Sequence, residues 1–166
     1  NQPHIFEMSV EGIGMLKSKQ LVYDALRIMY LETDDILQIL DDLPITQIKQ
    51  NQFIVTFPNT NNTIYIILKY YLQELFCRNR IGIFDGREIQ EDRFINISYN
   101  PLHPLERNSI FKFIGGSEEL IIPTIRETIE FVKVILQNLQ TQWGERSGIS
   151  RTSFVEVDEV EEEEEA

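Results

Sequence analysis

The sequence has little of the chemistry that enzymes use. It contains one cysteine, Cys77, and two histidines, His4 and His103, in 166 residues. A single cysteine excludes an internal disulfide and any cysteine-based zinc site, and it fits a reducing compartment. The two histidines lie far apart, and the sequence lacks phosphate-binding glycine loops and the GxSxG nucleophile motif. The sequence therefore predicts a non-catalytic protein, with no catalytic residue, no cofactor site and no metal site.

Long apolar runs and basic stripes are also lacking. No run approaches the ~18 residues that span a bilayer, and no signal peptide is visible. The formal net charge is −12, but Glu156 to Glu165 holds eight acidic residues and no base, so the rest of the chain carries −4. We therefore expect no membrane contact and no direct nucleic-acid contact. Because this stretch is so acidic, we predict that residues 146–166 form a disordered tail. The tail either keeps the chain soluble or binds a basic partner.

Hydrophobic periodicity predicts an α+β fold. The predicted strands are His4 to Val10, Gln52 to Phe57, Ile81 to Phe84, Arg93 to Tyr99 and Ser109 to Ile114. The predicted helices are Ser18 to Leu40, Ile64 to Phe76, and a long helix that follows Pro123 and ends at Trp143. Turn residues at Asp85-Gly86 and at Gly115-Gly116 separate the later elements.

The long C-terminal helix carries a regular apolar stripe, which we call the seam. Its members follow one another at alternating steps of four and three, and they are Ile125, Ile129, Val132, Leu136, Leu139 and Trp143. A stripe of this period faces either another helix or a sheet. The helix Ser18 to Leu40 carries a matching stripe that includes Val22, Met29 and Ile36. On the residues alone, the seam either covers the sheet of its own fold or packs on another helix.

Several local strings, taken in order, resemble a known family. FEMSVEGIGMLKSKQLVYDAL resembles the last strand and C-terminal helix of the larger alpha-like subunit of cellular RNA polymerases. From Gln52 onward, QFIVTFPNTNNTIYIILKYYL, NPLHPLERNSIFKFIGG and TIRETIEFVKVILQNLQTQW resemble the smaller alpha-like subunit. The chain thus resembles the fused alpha-like subunit (third-and-eleventh type) of multisubunit DNA-directed RNA polymerases in large cytoplasmic DNA viruses. One departure is Tyr65, which stands where the family has a glycine.

The resemblance implies the RNA polymerase alpha-like dimerisation fold, with an antiparallel sheet packed against long helices, and a division of the chain. The seam and the matching stripe of the helix Ser18 to Leu40 would then form the dimerisation and assembly interface. Residues 1–42 would be the strand and helix that end the larger unit, and 43–145 the smaller unit. The rest of the larger unit would lie upstream of Asn1. The two units would pair within the chain, so that the seam meets the helix Ser18 to Leu40. The paired units would form the platform for the two large catalytic subunits and the small assembly subunits in transcription.

The resemblance also implies contact residues and a location. The candidates for contact with a large subunit are Thr63, Lys69, His103 and Pro104. A viral protein of this kind would reside in the host cytoplasm and the virion, and a cellular one in the nucleus. A second hypothesis remains open on the residues alone. The chain could instead be a stand-alone α+β adaptor that dimerises through its seam and presents the acidic tail to a basic partner.

Overall fold

A computed structural model describes residues 7–14, 17–58, 62–78, 91–100 and 108–149 of the chain. This part forms an α+β structure with one four-stranded antiparallel sheet and three α-helices. The helices are α1 (Ser18–Ile39), α2 (Asn62–Phe76) and α3 (Ile121–Ser147). The strands are β1 (Ile45–Lys49), β2 (Gln52–Pro58), β3 (Asn96–Asn100) and β4 (Asn108–Ile114). None of the described helices is both long enough and apolar enough to cross a membrane.

The sheet has the strand order β1-β2-β4-β3, and every neighbouring pair is antiparallel. A tight turn joins β1 to β2, and Asn51 adopts the left-handed conformation there, with φ of 56°. Asparagine tolerates that conformation better than most residues, which suits it to a hairpin turn. β2 and β4 pair from Gln52↔Ile114 to Pro58↔Asn108. The two central strands therefore come from distant parts of the chain.

Apolar residues alternate along the central strands, so the sheet has one core face and one outer face. Phe53, Val55 and Phe57 of β2 are buried, and Phe113 and Phe111 of β4 lie opposite the first two of them. These side chains share a single core with the helices. The core members from the helices include Ile36, Ile64, Leu68, Leu72, Ile121, Ile125, Ile129 and Val132.

Two glycines end β4 and turn the chain toward α3. Gly115 and Gly116 have φ of 80° and 75°, a region that disfavours side chains. A Cβ on Gly116 would also lie 2.6 Å from the carbonyl oxygen of Arg93, so the backbones approach too closely for any larger residue. The predicted break after β4 is confirmed, and its cause is this crowding against the segment before β3.

The predicted α+β class is confirmed, and α1, α2, β2 and β4 begin and end within about two residues of the predicted positions. The third helix begins slightly earlier, at Ile121, and continues past Trp143 to Ser147. β3 is shorter than predicted, because Phe94 makes only an isolated bridge with Cys77. β1 was not among the predicted strands.

The predicted strand His4 to Val10 is wrong for its described part, Glu7 to Val10, which is not in a strand. A strand needs a neighbour for its backbone hydrogen bonds, and no described strand lies beside this segment. The remaining predictions lie outside the described residues: His4 to Phe6, Ile81 to Phe84, the Asp85-Gly86 turn and the acidic stretch from Glu156 to Glu165.

Candidate helix-pairing interface

α1 and α3 lie antiparallel, and polar contacts mark both ends of this helix pair. The indole N–H of Trp143 donates to the carbonyl oxygen of Lys19 at 2.8 Å, and Lys19 Nζ donates to the carbonyl oxygen of Ser147 at 2.7 Å. At the other end, Arg126 Nη2 lies 2.6 Å from Asp41 Oδ1, just beyond α1. The start of α1 therefore meets the end of α3, and the end of α1 meets the start of α3.

A lysine of α3 binds α1 near the middle of the pair. Lys133 Nζ donates to Asp34 Oδ1 at 2.6 Å and lies 5.3 Å from the centre of the Tyr30 ring. Tyr30 and Asp34 are four residues apart, so they lie on the same face of α1. The hydrogen bond to Asp34 raises the pKa of Lys133 above the ordinary value of a lysine. This contact fixes the register of the two helices.

One half of the pair buries its apolar stripe, and we call it the covered half. It joins the C-terminal half of α1 to the N-terminal half of α3, beside α2 and the sheet. Its buried members are Ile36, Leu40, Ile125, Ile129, Val132 and Leu136. Leu136 stands at its boundary and is still only 4% exposed. Four seam residues and one residue of the matching α1 stripe are therefore brought together here.

The other half, which we call the open half, joins the N-terminal half of α1 to the C-terminal end of α3. Leu139 is 48% exposed although it lies on the seam. Trp143 and Val22 are half-buried, and Met29 is half-buried against the edge of the core. None of these four side chains is fully buried, and of the four only Met29 packs against the core.

A close approach between the helices orders the open half. Tyr23 of α1 is buried against Gly144 of α3. A Cβ on Gly144 would lie 3.4 Å from the Tyr23 ring and 3.2 Å from the carbonyl oxygen of Ile149, which is tighter than ordinary packing. Glycine at this position therefore lets the tyrosine ring pack directly on the α3 backbone.

The candidates for contact with a large subunit are not brought together in the described residues. Thr63 is exposed and Lys69 is half-buried, and both lie on α2. Residues six apart on a helix point about 120° from each other, so these two do not share a face. His103 and Pro104 lie outside the described residues.

Tyr65 occupies the position at which the alpha-like family has a glycine, and here it is a core residue. Its ring centre lies 5.1 Å from that of Phe57 and 5.9 Å from that of Phe111. Burial raises the pKa of its hydroxyl to about 12, and the nearby Tyr99 and Glu32 add to the effect. This side chain therefore fills the space between α2 and the sheet.

Arg93 makes a second contact between separate elements, which the sequence did not reveal. Its guanidinium lies 4.5 Å from the centre of the Phe76 ring, at the end of α2. It also donates to Thr124 at 3.1 Å and forms ion pairs with Glu91 and Glu127. Nothing in the local sequence marks this arginine, because its partners lie on three separate segments. The contact joins the segment before β3 to α2 and α3.

The side chains of the interface are suited to helix association. Across the described residues, no group of three His, Cys, Asp or Glu side chains is placed to hold a metal ion. No protein-family model matches the chain, and no curated protein matches it. The function is therefore inferred from the geometry of the helix pair and from the resemblance of the sequence.

Proposed function

We propose that the chain is a non-catalytic assembly subunit of a DNA-directed RNA polymerase, with the alpha-like dimerisation fold. In this role it forms the platform on which the two large catalytic subunits assemble. The observation that supports the proposal most is the antiparallel pairing of α1 with α3 within one chain. The resemblance assigns α1 to the larger alpha-like unit and α3 to the smaller, so it requires these two helices to meet.

Energetics favour a permanent pairing of these helices. Each of the four buried seam residues stabilises the structure by roughly 1.5–3 kcal/mol relative to an exposed side chain. An interface of this strength does not exchange its partner during use. Because both helices belong to one chain, their pairing is independent of protein concentration. This arrangement suits a subunit whose role is to nucleate assembly.

The open half supports an assembly role more than a free-standing one. Its seam continues beyond the core, with Leu139 exposed and Trp143 and Val22 half-buried. A contiguous apolar surface of this kind on a helix pair is typical of a protein interaction site. We therefore infer that a further element of the polymerase assembly covers the open half.

Purification of the tagged full chain from its native setting tests the proposal. We expect both large polymerase subunits to co-purify in stoichiometric amounts. Leu139→Asp should abolish this recovery while leaving the circular dichroism spectrum unchanged, because the fold already exposes Leu139. Gln137→Asp is the matched control, since it adds the same carboxylate at an exposed position of α3.

The outcome separates the two hypotheses carried from the sequence. Intact polymerase that contains the Leu139→Asp chain at normal levels would contradict the assembly role of the open half. Recovery of a stable homodimer without large subunits would favour the stand-alone adaptor.

A further inference from the structure

The outer face of the sheet points away from all three described helices. Cross-strand register places Thr46, Ile54, Lys112 and Ser98 in one row across the four strands. The adjacent rows pair Gln52 with Ile114 and Thr56 with Ile110. Successive side chains of a strand point to opposite faces of the sheet. The buried side chains that pack on the helices lie on the core face, and the residues of the rows named above lie on the outer face.

Three isoleucines form the apolar part of this outer face. Ile54 lies directly opposite Lys112, and Ile110 and Ile114 lie two residues before and after Lys112 on β4. All three are half-buried, and none of them belongs to the hydrophobic core. An apolar surface on the sheet is therefore available outside the core.

The charge on this face is unusual for so acidic a chain. The chain has 27 acidic and 15 basic residues. Yet the charged residues at the outer positions of the four strands are both basic: Lys112 at the centre of β4, and Lys49, which lies opposite Gln52 at the end of β1. Within the described residues Lys112 forms no ion pair. A half-buried lysine among three isoleucines attracts a carboxylate, and that attraction strengthens as water is excluded from the contact.

We propose that this outer face docks a protein surface that presents an aspartate or glutamate within an apolar patch. Under the proposed function, on which this inference rests, that surface belongs to a large polymerase subunit. A nucleic acid fits poorly, because two lysines on a face of isoleucines and neutral polar residues offer few phosphate contacts. A second copy of the chain also fits poorly, because a two-fold contact through this face would bring two lysines together without an acid.

Charge reversal in the tagged full chain tests the inference. Lys112→Glu should lower the recovery of the large subunits by about tenfold or more, because it places like charges against each other. Lys112→Arg should keep the recovery near the wild-type level. Arg27→Glu is the matched control, since it makes the same charge change at an exposed position of α1, away from the sheet. Thr56→Glu, opposite Ile110, is a second variant should Lys112→Glu fail to fold.

Circular dichroism and light scattering distinguish the outcomes. Folded Lys112→Glu or Thr56→Glu chains that recover the large subunits as well as wild type would overturn the inference. Loss of a wild-type homodimer in these variants would show that a second copy covers the face, which also overturns it. Failure of the wild-type chain itself to recover large subunits would remove the proposed function, and this inference with it.

Discussion

The covered and open halves of the helix pair have the same kind of seam but different surroundings. In the covered half, Ile125, Ile129 and Val132 are at most 1% exposed, because α2 and the sheet lie over them. In the open half, Leu139 keeps nearly half of its surface exposed. The apolar period is continuous through both halves. Periodicity therefore reports which face of a helix is apolar, whereas the neighbouring elements decide how much of that face is buried.

The two halves are also held together by different interactions. The covered half rests on a shared hydrophobic core. The open half rests on the Tyr23–Gly144 approach and on the Lys19, Trp143 and Ser147 hydrogen bonds. Local contacts of this kind order two helices without burying their apolar stripe. This difference leads to measurable contrasts between equivalent substitutions in the two halves.

The largest contrast is expected from alanine substitutions on the seam. Ile129→Ala removes a fully buried side chain and should lower the free energy of unfolding by about 2–5 kcal/mol, as core truncations do. Leu139→Ala should lower it by less than about 1 kcal/mol, because the leucine is already half exposed. Urea denaturation of both variants measures the difference. Equal losses would show that the two halves are equally packed.

A second contrast concerns the close approach at Gly144. Gly144→Val adds a branched side chain against Tyr23 and the carbonyl of Ile149, and it should destabilise the chain by about 1–3 kcal/mol. Gln142→Val places the same side chain at an exposed position of α3 and should have an effect near that of helix propensity alone, about 0.5 kcal/mol. Thermal unfolding compares them. A Gly144→Val chain as stable as Gln142→Val would mean that this contact does not order the open half.

The ion pairs provide a smaller contrast. The side chains of the Asp34–Lys133 pair are 39% and 17% exposed, and those of Asp41–Arg126 are 74% and 43% exposed. A double-mutant cycle should therefore give a coupling of about 0.5–1 kcal/mol for the first pair and close to zero for the second. A stronger coupling for Asp41–Arg126 would contradict the assignment of Lys133 as the residue that fixes the register.

The smallest effect on stability at neutral pH is expected from a substitution of Tyr65, a core residue of α2. Its pKa is raised to about 12 in the folded chain by burial, against about 10 in an unfolded one. Between these pH values the unfolded chain loses the tyrosine proton first, so stability falls as the pH rises from about 10 to 12. Tyr65→Phe should make that decline shallower, which denaturation at a series of pH values measures. An unchanged decline would mean that Tyr65 ionises freely in the folded state.

Sequence reasoning located the helices well for an identifiable reason. α1 and α3 are long, their apolar positions repeat with the helical period, and Asp-Asp-Leu-Pro follows the end of α1. The alternation of residues along β2 and β4, which the structure shows as alternating burial, was equally clear in the sequence. These patterns can be seen in the sequence because each of these elements buries one continuous face.

The remaining features depend on contacts between distant residues, which one sequence does not reveal. β1 was missed because a short edge strand has only one neighbour and a weak alternation. Asp34 and Lys133 are 99 residues apart, and the sequence placed Lys133 simply off the seam. Exposure of Leu139 could not be foreseen either, since it depends on where α2 and the sheet end. The site therefore required the three-dimensional arrangement.

The central claim is that the open half is an apolar surface that another part of an assembly covers. It is tested most directly by light scattering and apolar-dye binding on the purified 166-residue chain, with Leu139→Asp beside it. We expect the wild-type chain to associate or to bind the dye, and the variant to do so much less while keeping its helical content. A wild-type chain that unfolds cooperatively as a soluble monomer and binds no dye would contradict the account.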